Sequence, residues 1–211
     1  MDGTLLDTER VAQQAFITTC SELAVTPRMD LLMRCVGAAE PIARGVIRDG
    51  YGPTLDVDAF FAAWSRNFTA VSAVTPAPLK AGVVALLGAV EELGLPMAVA
   101  TSSRTAHAVE KLGRAGLLAR FRAVIGADLV QRPKPDPEVY LKAAAELGVN
   151  PRACLALEDS EYGVRAAHAA GMTVIQVPDM TQPTADLRAL GHIVLRSLEE
   201  VAGYPFGANH G

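Results

Sequence analysis

From about residue 82 onward the chain alternates amphipathic helical stretches with short apolar runs, and few folds accept that order. The apolar runs are Met97-Ala98-Val99-Ala100, Phe121-Arg122-Ala123-Val124-Ile125, Cys154-Leu155-Ala156-Leu157 and residues 173–177, with a weaker one at 192–195. Between them the spacing changes from continuous to helical. Val83, Leu86, Leu87 and Val90 share one side of a helix predicted over residues 82–93, which Gly94 is placed to end. A helix predicted over 105–115 is stopped by Gly116. Pro137, at a first-turn position that needs no N–H, opens another that runs to Leu147 and is closed by Gly148. A further helix ends before Gly171, and Ser197 with Glu200 fits a capping box for the last one. Strands that are apolar from end to end must be buried on both faces. The pattern therefore predicts an α/β fold, a Rossmann-like parallel sheet with helices on both sides.

The first third of the chain reads differently. Residues 8–73 are mostly helical in pattern, with Val11, Ala15, Phe16 and Leu23 on one apolar face. Asp58 is placed to cap a second helix, in which Phe60, Phe61, Trp64, Phe68 and Val71 recur at helical spacing. This Phe-Trp stripe reads as the core of a helical insert. Val74-Thr75-Pro76-Ala77-Pro78 reads as a linker, because each proline biases its predecessor toward extended backbone. The expected division is an α/β core of residues 1–9 and 77–211 and a helical insert of residues 10–76. A chain of 211 residues is long enough for one core carrying such a second unit.

Composition narrows the functional classes. A net charge of −4 weighs against nucleic acid or an anionic membrane as the main partner. Cys20, Cys35 and Cys154 are far apart and form no Cys-x-x-Cys pair, so neither a disulfide framework nor a zinc site is expected. No apolar stretch reaches the roughly 18–20 residues of a spanning helix, and no basic-then-apolar leader opens the sequence. A cytoplasmic protein is the expectation. There is no Walker loop and no dinucleotide glycine fingerprint, and His107, His168, His192 and His210 are isolated.

Ligands of an open parallel sheet gather at the carboxyl ends of its strands. Thr101 and the pair Glu158-Asp159 lie immediately past two such ends, and Lys134 lies in a loop after another. Thr101, with the amide and hydroxyl of Ser102, can donate to phosphate oxygens where a helix N-terminus favours an anion; the plainer reading is a polar loop. Lys134 stands in Arg132-Pro133-Lys134-Pro135-Asp136-Pro137, where prolines stiffen the backbone that aims it; otherwise it is a surface lysine. Adjacent carboxylates closing an apolar strand repel each other unless a cation intervenes. A hard divalent ion with oxygen ligands, Mg2+, suits Glu158 and Asp159; the alternative is an acidic helix start.

These signals, with Met1-Asp2-Gly3-Thr4-Leu5 and the run Leu155-Ala156-Leu157-Glu158-Asp159-Ser160-Glu161-Tyr162-Gly163-Val164, resemble the four-part signature of the haloacid dehalogenase superfamily of aspartate-dependent phosphatases. The helical insert resembles the small α-helical cap of the subfamily containing phosphoglycolate phosphatase, sugar-phosphate phosphatases and β-phosphoglucomutase. The family's first motif reads Asp-x-Asp-Gly-Thr-Leu, and its first Asp is the nucleophile. With Met1 at the x, the resemblance places that nucleophile just ahead of Met1, as if translation were assigned to an internal methionine. A lead-in strand of ~5–6 residues would accompany it. The resemblance implies that Asp2 is the general acid/base and lends its carbonyl to the metal. It implies that Thr101, Ser102 and Lys134 bind phosphate, with Lys134 also assisting catalysis, and that Glu158 and Asp159 hold Mg2+. Ala81 departs from the proline common before the glycine that opens the helix after the cap. The implied activity is Mg2+-dependent hydrolysis of a small phosphate monoester, such as a sugar phosphate or phosphoglycolate, through a phospho-aspartyl intermediate. A phosphomutase and a catalytically inactive phosphate binder are the alternatives.

Overall fold

The computed structural model describes residues 1–74 and 77–204, apart from the side chains of Glu9, Arg10, Ala73 and Val74. Its strands are β1 (Ala98–Ala100), β2 (Ala123–Ile125), β3 (Leu155–Glu158), β4 (Thr173–Gln176) and β5 (Ile193–Val194). Every pairing is parallel: Val99 stands opposite Val124, Leu157 opposite Ile175, and Ile175 opposite Ile193. All but β4 begin one or two residues later than their apolar runs. Arg122 N already donates to Met97 O at 2.8 Å, so the ladder's hydrogen bonding reaches beyond the residues counted as strand.

The pairings form two ladders, β1-β2 and β3-β4-β5, where the pattern predicted one sheet. They nevertheless share both helix layers. One apolar cluster joins Val99 of β1 and Ile175 of β4 to Leu86, Leu112 and Leu198. The other joins Ile125 of β2 and Ala156 of β3 to Val139, Ala143 and Val164. The layers are built by α5 (Val83–Glu92), α6 (Thr105–Arg114), α7 (Glu138–Leu147), α8 (Glu161–Ala169), and the short α9 (Ala185–Arg188) and α10 (Leu198–Ala202). Ser197 accepts from Glu200 N at the start of α10, while the Glu200 carboxylate reaches one residue further back, to Arg196 N.

Ahead of these elements come α1 (Glu9–Glu22), α2 (Met29–Cys35), α3 (Glu40–Tyr51) and α4 (Val57–Val74). They pack on their own cluster, in which Phe16, Leu31, Ile47 and Phe60 are buried. The Phe16 ring meets those of Phe60 and Trp64 edge-on at 5.8 and 5.3 Å. Capping differs from expectation at α4. Asp56 accepts from Ala59 N at 3.0 Å, and Asp58 instead lies in the first turn, where it pairs with Arg44. The chain leaves and rejoins the α/β layers at one place: Asp7 N donates to Pro78 O at 2.9 Å and Lys80 N to Leu5 O at 3.0 Å. Of the predicted linker, Thr75 and Pro76 lie outside the described residues. Among the described residues no helix is long and apolar enough to cross a membrane.

Candidate active site

Asp2, Thr101, Ser102, Lys134, Glu158 and Asp159, separated by up to 157 positions, line one cavity of about 240 Å3. The strands bring them there. Thr101 follows the last residue of β1, and Asp159 the last residue of β3. Lys134 ties the two ends together. Its Nζ donates to Ala100 O at 3.2 Å, to the Tyr140 hydroxyl at 3.3 Å and to Glu158 Oε1 at 2.6 Å. A lysine only 5% exposed with these three partners is no ordinary surface side chain.

The adjacent carboxylates are treated unequally. Glu158 has donors on both oxygens: Lys134 and Tyr140 on Oε1, and Asp159 N, Ser160 N and Ser160 Oγ on Oε2 at 3.2, 3.4 and 3.1 Å. The first turn of α8 closes over it so tightly that a Cβ on Gly163 would lie 1.9 Å from Glu158 Cδ. Burial opposes its charge, but the Lys134 ammonium and the other donors outweigh burial and take the pKa down to about 2. Asp159 accepts from the Thr4 hydroxyl at 2.7 Å. Burial first, and the Glu158 charge second, push its pKa up to about 7. Gly3 abuts the same carboxylate in the left-handed region at φ 73°, where a Cβ would stand 2.3 Å from Asp159 Oδ2. Asp159 is thus a buried oxygen donor short of positive charge, which is the chemistry a hard divalent cation satisfies.

Asp2 sits at the other side of the cavity. Lys111 Nζ donates to its Oδ1 at 2.7 Å and Ser103 Oγ to its Oδ2 at 2.9 Å. Burial raises its pKa, yet Lys111, the Met1 ammonium and Ser103 together leave it below the usual carboxylate range. The Thr101 hydroxyl accepts from Ser103 N at 3.1 Å. The Ser102 hydroxyl turns to the helical insert, donating to Gly37 O at 2.9 Å. Gly37, at φ 71° between α2 and α3, lies so close to the α/β layers that a Cβ would stand 2.3 Å from Ser160 Oγ. The insert supplies the remaining wall. Phe60 lies in its core with Phe16, as the stripe suggested; Trp64 packs on that core and also lines the cavity, as Phe68 does.

Among the described residues no three His, Cys, Asp or Glu side chains form a ready-made metal cluster. Lys111 engages Asp2, and Lys134 engages Glu158. Ser103, Lys111 and Tyr140 also bond to these residues and are not among the sequence candidates, whereas Thr4 stands in the first motif. Ser103 adjoins Thr101-Ser102 and was legible as a third donor. Lys111 and Tyr140 lie inside amphipathic helices and carry no local signal.

Residues 1–177 match the sequence model of the haloacid dehalogenase-like hydrolases. The CbbY protein of Cupriavidus necator H16 is 32% identical over 199 residues, covering 84% of this chain and 76% of its own. The fructose-1-phosphate phosphatase YqaB of Escherichia coli K12 is 32% identical over 182 residues, covering 84% of this chain and 93% of its own. The crystal structure of a CbbY variant from Rhodobacter sphaeroides, in complex with xylulose-1,5-bisphosphate, superposes with a TM-score of 0.74 at 29% identity, over 95% of this chain and 92% of that one.

Proposed function

The chain belongs to the haloacid dehalogenase-like hydrolases, and on that premise we propose that it is a Mg2+-dependent phosphatase of a small phosphorylated metabolite. The observation that carries this reading is the convergence of Asp2, Thr101, Lys134 and Asp159 on one cavity at the ends of β1 and β3. The attacking carboxylate is assigned to a residue preceding Met1. Met1 is buried and lines the cavity, and its carbonyl accepts from Leu5 N and Leu6 N at 2.8 and 3.1 Å. Residues 10–76 would serve as the cap over a core of residues 1–9 and 77–211, in a cytoplasmic protein without a nucleic-acid or membrane partner.

Asp2 protonates the leaving oxygen as the phosphoryl group moves to the nucleophile. It then takes a proton from the water that cleaves the phospho-aspartyl ester. Lys111 and Ser103 hold Asp2 in place for both transfers. Thr101 and the Ser102 amide donate to the phosphoryl oxygens, and Lys134 adds positive charge at the strand ends. Asp159 would hold Mg2+ first, being the less compensated carboxylate, with Glu158 and the Asp2 carbonyl beside it. The ion would supply charge neutralisation for phosphate and carboxylates.

The test uses the full-length protein with whatever its gene encodes ahead of Met1. With Mg2+, inorganic phosphate should be released from small monoesters. Interconversion of sugar phosphates without release would make it a mutase. Phosphate and Mg2+ binding without turnover would make it a binder.

A further inference from the structure

We infer that the group esterified to the phosphate is uncharged, a sugar or polyol monophosphate, and that a second phosphate or a carboxylate on the substrate is discriminated against. This rests on the phosphatase reading and concerns the side of the same cavity that the helical insert supplies.

Among the described residues five charged side chains line the cavity: the carboxylates of Asp2, Glu158 and Asp159 and the ammoniums of Lys111 and Lys134. Both ammoniums are committed. Lys134 is buried against Glu158, and Lys111 is held between Asp2 Oδ1 at 2.7 Å and the Phe68 ring, 5.0 Å from its centroid. An anion that captured Lys111 would strip Asp2 of its partner, and with it the acid/base that the reaction uses.

The wall facing these groups is apolar: Val36 and Ala38 from the loop between α2 and α3, Trp64 and Phe68 from α4, and Met180 after β4. Among the described side chains the arginines of the insert lie outside the lining, and Arg34 and Arg48 are exposed. Arg44 donates to Glu40 at 2.8 Å and to Asp58 at 2.7 Å, with its guanidinium 4.7 Å from the Phe61 centroid. Arg66 pairs with Glu22. Arg104, just past Ser103, is exposed and outside the lining.

A second anion would enter a low-dielectric space with carboxylates in excess and, among the described residues, no uncommitted cation in the lining, so its desolvation would go uncompensated. An uncharged polyol presents hydroxyls, which can be satisfied by water or by backbone, and C–H faces that suit Trp64 and Phe68. The cavity of about 240 Å3 also sets a small size.

The test is a pair of matched comparisons on the full-length protein with Mg2+: fructose 1-phosphate against fructose 1,6-bisphosphate, and glycerol 3-phosphate against 3-phosphoglycerate. Each is measured both as substrate and as inhibitor of p-nitrophenyl phosphate hydrolysis. The uncharged member of each pair should be favoured by at least about tenfold in kcat/KM, or in inhibition constant where it turns over slowly. Ala38→Arg, shown to be folded by circular dichroism, should narrow the first ratio by placing a guanidinium in the wall; if it does not fold, the native ratios decide. Turnover of p-nitrophenyl phosphate with the charged member equal or better in either pair overturns the inference and leaves the phosphatase reading standing. Loss of all turnover, p-nitrophenyl phosphate included, defeats the phosphatase reading itself.

Discussion

At the scale of single residues, the site is governed by how two neighbouring carboxylates are compensated. Glu158 depends on Lys134, and both are almost fully buried. Lys134→Met would leave that charge unpaired, and the expected loss of ~3–5 kcal/mol would be read from chemical denaturation. Converting Glu158 to Gln in the same chain should recover part of it. Asp159 behaves in the opposite sense. Its pKa in the folded protein is raised from 3.8 to about 7, so the folded state holds the proton more tightly than the unfolded chain. That contribution is complete below 3.8 and is lost as pH rises through about 7. In protein stripped of divalent ions, the melting temperature should therefore fall across that window. Asp159→Asn should flatten the slope, and Mg2+ should stabilise more at pH 8 than at pH 6. Asp2→Asn should lower kcat by ~10²–10⁴-fold, as loss of a positioned acid/base does, with the melting temperature little changed.

At the scale of elements, the loop between α2 and α3 is the part of the insert that touches the reacting end of the cavity. It is held by the Ser102 hydroxyl on Gly37 O and by the close approach of Gly37 to Ser160. Gly37→Ala would strain a left-handed position by roughly 1–2 kcal/mol and drive a Cβ into Ser160, so the loop must lift. Steady-state kinetics should show KM raised while far-ultraviolet dichroism is unchanged. An unchanged KM would mean that the loop does not contact the substrate. The helix α4 has two jobs for the same reason: Phe60 faces the insert's own core, and Phe68 faces the cavity.

At the scale of the whole molecule, the α/β layers hold two parallel ladders rather than one, with Lys134 reaching the carboxyl ends of both β1 and β3. The proposed upstream residues would enter beside Met1. Burying about three aliphatic side chains there would contribute roughly 5–9 kcal/mol, comparable with a domain's total stability of ~5–15 kcal/mol. A protein carrying its upstream codons should therefore resist denaturant far better than one beginning at Met1. Equal midpoints would remove the lead-in strand from the account.

What the sequence determined by itself was the order of elements and the identity of the polar residues at strand ends. Continuous apolar runs can only be buried strands, and a residue just past such a run has nowhere to go but the sheet's rim. Thr101 and Glu158-Asp159 were legible for that reason, as was the insert, whose aromatic periodicity differs from everything after it. Tertiary structure alone decided which charges pair. Lys111 and Tyr140 look like any polar position on an amphipathic helix, and only packing brings them to Asp2 and Glu158. It also decided that Phe68 faces a cavity while Phe60 faces a core, because helical spacing fixes which residues share a face but not what that face meets.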